Sequence, residues 1–268
     1  MTRWRLLDTG AQPASFNMAI DEALFQLHVR GESQPTLRFY SWDPPAVSLG
    51  YFQKHSAIDF ASCRELGIDI VRRLTGGRAV LHANDLTYSV VVDSGQGIPS
   101  SFEAVYRLLC QGLLEGFRLL GFEGEHGREE MECSSSDICF AHATVADIVY
   151  QGRKFVGNAQ TWQGAALLQH GSIVLEPQEE TWAAIVKTDS RESLRAQLKS
   201  RITSLREILG RGIDLDELKR AITTGLTERL QVEFEVGELS SQEWALAIEI
   251  ASSRSRRREK HLSADQRK

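Results

Sequence analysis

The chain lacks the features that mark membrane and secreted proteins. No apolar run approaches the roughly 18 residues that a membrane-spanning helix needs, and the opening MTRWRLLDTG has no apolar signal-peptide core. The four cysteines, Cys63, Cys110, Cys133 and Cys139, are few and irregularly spaced, which does not indicate a disulfide framework. We therefore expect a cytoplasmic protein that acts without a membrane or nucleic-acid partner.

The net charge of −5 is distributed unevenly along the chain. Residues 252–268 hold seven Lys and Arg against two Asp and Glu, a local +5, so the rest of the chain carries −10 of the total −5. This tail has no apolar periodicity after Ala251, which predicts disorder; an electrostatic handle for an acidic partner is the alternative. Residues 1–251 are predicted to form one domain, mainly helical from about 178 to 251.

Helical and strand-like patterns alternate irregularly along this domain. The amphipathic stretch Phe16–Val29 and a capped stretch from Ser100 to Leu120 predict helices. Runs rich in β-forming residues separated by turn residues predict strands, at Thr36–Trp42, Ala46–Phe52, Asp69–Val92, Asp137–Phe140, Val145–Tyr150, Lys154–Trp162, Ala166–Leu175 and Val232–Val236. Hairpins without regular βαβ alternation favour an α+β fold, with a mixed, mainly antiparallel sheet flanked by helices.

A basic glycine turn lies inside the central strand region. Gly76-Gly77 allows a ligand to approach main-chain N–H groups closely, and Arg72, Arg73 and Arg78 surround the turn, with His82 on the next strand. This arrangement suits an acidic or phosphorylated ligand. A tight hairpin with solvated arginines is the alternative.

Two residues further along could carry chemistry. Cys139 begins a strand-like region beside a polar loop, where a thiolate can be reached by substrate, although a free cysteine is often only a small buried side chain. Lys154 follows the Gln151-Gly152 turn; its charge would favour a nearby thiolate, and its amine could accept a proton.

Small residues occupy strand positions where large side chains are usual. Gly157-Asn158-Ala159-Gln160 and His170-Gly171-Ser172 leave room for an acyl chain or nucleotide along the backbone, and a bulge is the alternative. The spacing of His126, Cys133, Cys139 and His142 does not match familiar zinc patterns, so no metal site is expected.

In this order, these segments resemble the biotin/lipoate protein ligase and lipoyl(octanoyl)transferase family over about residues 3–235. Within that family, TGGRAVLH, LTYS and Cys139-Phe140 look most like the cysteine-dependent octanoyltransferases of Gram-positive type. The motifs that carry the resemblance are FNMAIDEALF, Arg72 to Gly77 with Ala79, Val80 and His82, Gly152-Arg153-Lys154 with Gly157-Asn158-Ala159, His170-Gly171, and Lys199 to Thr203 with Leu205.

The resemblance implies an acyltransferase of lipoate biosynthesis that needs no cofactor. Cys139 would take an octanoyl group from octanoyl-acyl-carrier protein as a thioester, and Lys154 would assist its transfer to a lysine of a lipoyl domain. It also implies a substrate site made by Arg73, Thr75, Gly76, Gly77, Arg78, His82, Gly157, Asn158, Ala159, His170 and Gly171.

The partners that the resemblance implies are acidic. They are the carrier protein as donor and, as acceptor, the lipoyl domains of 2-oxoacid dehydrogenases or the glycine cleavage H protein; the transferase itself is expected to be a monomer. A domain at −10 must then concentrate positive charge locally, and the candidates are Arg38, Lys54, Arg72, Arg73, Arg78 and Arg153.

Departures from the family pattern keep other chemistries open. His82-Ala83 stands where Asp commonly follows the histidine, Gly157-Asn158-Ala159 stands where Gly-Ser-Ala is frequent, and Ser136-Asp137-Ile138 stands where ligases tend to carry Asn-Asp-Leu. The alternatives are an ATP-dependent lipoate ligase, an amidotransferase between lipoyl domains, and a non-catalytic binding module.

Overall fold

The computed structural model describes residues 2–54, 57–95, 97–127, 144 and 146–265, with side chains described to residue 254. Within these ranges, strands and helices form two sheets with helices packed on them. None of the described helices is both long and apolar enough to cross a membrane.

The larger sheet has eight strands in the order β11-β1-β2-β6-β10-β9-β8-β7. β1 runs parallel to both β2 and β11, and every other pairing in this sheet is antiparallel. Its strands are β1 (Thr2–Gln12), β2 (Thr36–Trp42), β6 (Asp85–Asp93), β7 (Glu125–His126), β8 (Ile148–Tyr150), β9 (Arg153–Gln163), β10 (Ala166–Val174) and β11 (Val232–Val236). The predicted α+β class and mainly antiparallel sheet are confirmed.

The smaller sheet has three strands in the order β4-β3-β5. They are β3 (Ala46–Leu49), β4 (Asp69–Arg72) and β5 (Val80–His82), with β3 parallel to β4 and antiparallel to β5. The predicted Asp69–Val92 region is therefore divided between two sheets: β4 and β5 join the small one, and β6 enters the large one.

Among the described residues, eight helices cover the sheets. They are α1 (Ala14–Val29), α2 (Phe60–Glu65), α3 (Phe102–Leu119), α4 (Glu179–Ile185), α5 (Arg191–Arg201), α6 (Leu205–Leu209), α7 (Leu215–Leu230) and α8 (Ser241–Asp265). Side chains immediately before α2 and α3 cap these helices. The Asp59 carboxylate accepts from backbone N–H groups in the first turn of α2, and Ser101, not the predicted Ser100, caps α3.

The alternating pattern of β6 shows why the large sheet has two different faces. Leu86, Tyr88 and Val90 join the apolar core formed with α3 and α7, whereas Thr87 and Ser89 carry hydroxyl groups on the opposite face. On that opposite face α1 and α8 pack together over Leu7, Val91 and Leu168. The polar part of this face, left between α1 and the small sheet, positions the site described below.

Two segments differ from the sequence-based prediction. β1 was not predicted, although TRWRLLDTGAQ forms an interior strand of the large sheet. The backbone of residues 252–265 is helical, within α8, where disorder was predicted. Arg254 anchors this helix: it is ion-paired with Glu22 on α1 and donates to the Arg72 carbonyl at 2.6 Å.

Candidate functional site

A pocket lies between the polar face of the large sheet and the small sheet, with α1 at one side. Its volume is about 360 Å³ when the open solvent at its mouth is counted. It is lined by Met18, Tyr40, Trp42, Ser48, Arg73, Val80, His82, Thr87, Gly157, Asn158, Ala159, His170, Gly171 and Ser172. Seven of the predicted substrate residues are in this set: Arg73, His82, Gly157, Asn158, Ala159, His170 and Gly171.

Arg73 builds the wall that carries the glycine turn. Its guanidinium donates to the carbonyls of Gly76 and Arg78 at 2.7 and 2.8 Å, to Thr75 Oγ1 at 3.1 Å, and to the Ser48 carbonyl at 2.9 Å. Each guanidinium nitrogen therefore has a protein acceptor, and the side chain is only 4% exposed. The alternative of a hairpin with solvated arginines is thus wrong at Arg73, which lines the pocket and acts as a structural brace.

The turn itself is tightly packed against the loop after β3. Gly77 has a left-handed backbone (φ +89°), and a Cβ added at Gly50 would lie 1.8 Å from the Gly77 carbonyl oxygen. The Tyr51 N–H donates to the Thr75 carbonyl at 2.9 Å, which joins the two segments. The turn therefore contacts the lining residue Arg73 but does not itself line the pocket. This applies to the predicted substrate residues Thr75, Gly76, Gly77 and Arg78.

His170 connects the turn to a buried charge centre. Its Nε2 is 2.6 Å from Thr75 Oγ1 and its Nδ1 is 3.2 Å from Asp21 Oδ2. Burial lowers the pKa of His170, and Asp21 opposes this only in part, so the imidazole is neutral at pH 7. Nδ1–H then donates to Asp21, and Nε2 accepts the hydroxyl proton of Thr75.

Asp21, on α1, is the hub of this network. It accepts from Arg38 Nη1 at 2.7 Å, Tyr40 Oη at 2.7 Å and Ser89 Oγ at 2.8 Å. Burial alone would raise the pKa of Asp21, but the Arg38 guanidinium and the hydrogen bonds from His170 and Tyr40 outweigh it and lower that pKa to about 2. The prediction that Arg38 supplies surface charge is wrong, because Arg38 is fully buried.

His82 is held by a second carboxylate. Its Nδ1 is 2.8 Å from Asp85 Oδ2, its Nε2 is 2.9 Å from Ser48 Oγ, and its ring stacks on Trp42 with centroids 3.9 Å apart. Asp85 also accepts from Thr87 and Ser172. Asp85 therefore supplies the carboxylate partner of His82, and Ala83 occupies the position where the family commonly has aspartate.

Lys154 is buried in an ion pair that the sequence analysis missed. The side chain is 2% exposed, and its Nζ lies 3.0 Å from Asp147 Oδ2. The β8–β9 hairpin turns at Gln151 and Gly152, both with positive φ, and pairs Val149 with Lys154, which brings the residue before β8 alongside Lys154. An acidic residue just before the hairpin was the available signal.

Asp147 also links Lys154 to the pocket. Its Oδ1 accepts from the Asn158 backbone N–H at 3.3 Å, and its Oδ2 from the Thr144 N–H at 2.7 Å. Lys154 is not among the described residues that line the pocket, and the Asp147 carboxylate is one connection between Lys154 and the lining residue Asn158.

The small residues of β9 and β10 form the floor of the pocket. β9 pairs with β10 in continuous register, with Gly157 opposite Ser172 and Ala159 opposite His170, so this segment is not a bulge. Asn158 Nδ2 donates to the Ala146 carbonyl at 2.6 Å and its Oδ1 accepts from Tyr88 at 2.7 Å. A Cβ at Gly171 would lie 2.0 Å from Asn158 Oδ1, so the amide at Asn158 requires glycine there.

The predicted nucleophile Cys139 lies outside the described residues. So do Cys133, His142, the predicted strand Asp137–Phe140 and the Ser136-Asp137-Ile138 segment. Their predicted roles stay predictions.

Comparison with known proteins gives one consistent picture. The model of the lipoyl protein ligase A/B catalytic domain matches residues 13–227. The chain is 42% identical to octanoyltransferase LipM of Kyrpidia tusciae (93% of this chain, 95% of the relative) and 38% identical to octanoyltransferase LipM of Clostridioides difficile (93% and 95%).

Solved structures share the fold. A bipartite lipoate protein ligase from Thermoplasma acidophilum superposes with a TM-score of 0.78 at 24% identity, covering 94% of this chain and 93% of that one. A lipoate-protein ligase A solved with ATP superposes with a TM-score of 0.76 at 26% identity, covering 94% of each.

Proposed function

The chain belongs to the lipoyl protein ligase A/B catalytic domain family, and from this premise we propose that it is an octanoyltransferase of lipoate biosynthesis. The observation that carries the proposal is the set of octanoyltransferases that are 36% to 42% identical to it over nearly their full length. The acceptor is a lysine of a lipoyl domain, in a 2-oxoacid dehydrogenase or the glycine cleavage H protein.

The donor is octanoyl-acyl-carrier protein, and the reaction passes through Cys139. The Cys139 thiolate attacks the donor thioester carbonyl, a new C–S bond forms, and the carrier thiol leaves. The acceptor lysine amine then attacks the octanoyl-Cys139 carbonyl, loses a proton, and leaves an amide while the thiolate is regenerated. Exchange of one thioester for another is nearly balanced, so the amide drives the cycle.

Lys154 serves this reaction as a buried cation. Its ammonium forms an ion pair with the Asp147 carboxylate, 3.0 Å away. A fixed positive charge favours a thiolate over a thiol. Of the two roles predicted for Lys154, the ion pair supports charge stabilisation more strongly than proton removal.

The pocket between the two sheets holds the octanoyl chain. Met18, Trp42 and Val80 provide apolar surface, and the small residues Gly157 and Ala159 leave room beside it. Apolar contact with an alkyl chain contributes about 0.8 kcal/mol for each methylene removed from water. Preference for the acyl chain therefore depends on these five residues.

A transfer assay without ATP tests the proposed activity. Purified chain is mixed with octanoyl-acyl-carrier protein and a lipoyl domain, and the mass of the lipoyl domain is followed. We expect a gain of one octanoyl group without ATP or magnesium, and no gain with Cys139→Ser, with Cys133→Ser as the matched control. Transfer that requires ATP and free octanoate would instead support the ligase chemistry, which the ATP-bound structural relative keeps as the second candidate.

A further inference from the structure

An exposed aromatic pair stands beside the glycine turn. Phe52 is 87% exposed and Tyr51 is 51% exposed, and their rings meet edge to face with centroids 4.8 Å apart. Large apolar side chains with this exposure are typical of surfaces that bind another molecule. Neither side chain belongs to an apolar core cluster of the described residues.

The loop that presents this pair is held firmly in place. The Arg72 guanidinium donates to the carbonyls of Tyr51 and Gln53 at 3.0 and 2.9 Å. The Tyr51 N–H donates to the Thr75 carbonyl, and Gly50 packs against Gly77. A surface fixed in this way loses little conformational freedom on binding.

The pair also lies within reach of the pocket. Ser48 lines the pocket and precedes Tyr51 by three residues, a distance of at most about 11 Å along an extended chain. Thr75, which accepts from the Tyr51 N–H, contacts His170 on the pocket wall at 2.6 Å. The aromatic pair therefore stands at the rim of the site.

Lys54 places a positive charge at the rim. It follows the aromatic pair by two residues and is exposed. A cation beside exposed aromatic side chains favours an acidic protein partner.

We propose that Tyr51, Phe52 and Lys54 form the docking surface for the acidic domain that carries the acceptor lysine. This inference rests on the proposed transferase function. An acceptor lysine reaches no further than its four-carbon stem, so the domain bearing it must contact the rim. A donor acyl group arrives on a long prosthetic arm, which permits its carrier to dock farther away.

The two half-reactions separate acceptor docking from donor docking. With a lipoyl domain as the varied substrate, Phe52→Ala should raise KM about tenfold, the effect of losing one central interface aromatic, with kcat nearly unchanged. Acyl loading from octanoyl-acyl-carrier protein should not change. Lys54→Glu should raise the same KM, most strongly at low ionic strength. Phe102→Ala, another exposed phenylalanine (55%), should behave as wild type.

Direct binding makes the test independent of catalysis. Titration of a lipoyl domain into the full chain, by calorimetry or NMR, should show the same tenfold weakening with Phe52→Ala even if no octanoyl transfer occurs, which separates failure of the surface from failure of the proposed function. Unchanged acceptor binding in Phe52→Ala overturns the proposal. A defect confined to donor loading also overturns the proposal, because it assigns the surface to the carrier protein. Loss of self-association in sedimentation overturns it as well, because it assigns the surface to a second copy of this chain.

Discussion

Replacing Asp147 by asparagine tests whether the buried ion pair organises the hairpin that carries Lys154. Asp147 and Lys154 are each 2% exposed, and their charged atoms are 3.0 Å apart. Breaking a buried ion pair by removing one of its two charges costs about 3–5 kcal/mol. For a chain of this size, that corresponds to a fall of roughly 6–20 °C in the unfolding midpoint.

The hydrogen bonds of Asp147 predict a second effect. One carboxylate oxygen accepts from the Asn158 N–H and the other from the Thr144 N–H. An asparagine amide replaces one oxygen by a donor, which then faces another N–H group. Because Asn158 lines the pocket, octanoyl transfer should fall together with stability.

Thermal unfolding and the transfer assay measure the two effects. The matched control is Asp216→Asn, whose partner Lys219 lies 3.9 Å away at the surface, and its midpoint should stay within about 2 °C of wild type. The double variant Asp147→Leu/Lys154→Met should regain much of the lost stability and stay inactive. An Asp147→Asn protein with an unchanged midpoint and full activity would refute the reasoning.

Three further predictions follow from the same contacts. Gly171→Ala places a methyl group 2.0 Å from Asn158 Oδ1 and should destabilise the protein by about 1–3 kcal/mol in denaturant titration, whereas Gly212→Ala, with no atom within 4 Å, should not. The pKa of Asp21 is lowered to about 2 from an ordinary 3.8, which contributes about 2 kcal/mol of stability that is present above pH 4 and is lost as pH falls toward 2. The difference in unfolding free energy between wild type and Asp21→Asn should therefore shrink as pH falls from 4 to 2. A difference that stays constant over this range would contradict the prediction. Arg254→Ala removes the ion pair with Glu22 and the bond to the Arg72 carbonyl, so amide exchange in residues 252–265 should accelerate while exchange in α3 stays unchanged.

The parts of the fold that depend on local pattern could be predicted from the sequence. The amphipathic α1, the hairpin of β8 and β9, and the Gly76-Gly77 turn are specified by residues close together in the chain. The seven predicted residues that line the pocket also belong to short motifs. The fold class followed from the order of these elements.

The features that could not be predicted from the sequence depend on contacts between residues that are distant in the chain. β1 lies between β2 and β11, and its parallel pairing with β11 joins residues near 2–6 to residues near 232–236, which no local signal reveals. In the sequence, Asp21 is one polar position of an amphipathic helix. In the structure its carboxylate accepts hydrogen bonds from both His170 and Arg38. Arg38 and Arg73 were also expected to supply positive charge for an acidic partner. The net charge of a sequence does not show that each of these guanidinium groups has buried hydrogen-bond acceptors.

The most direct test of the account is the intact mass of the protein after mixing with octanoyl-acyl-carrier protein alone. We expect a gain of one octanoyl group that is released by hydroxylamine, absent in Cys139→Ser, retained in Cys133→Ser and consumed when a lipoyl domain is added. An unmodified wild-type mass, in a preparation that nevertheless octanoylates the lipoyl domain, would contradict the Cys139 thioester.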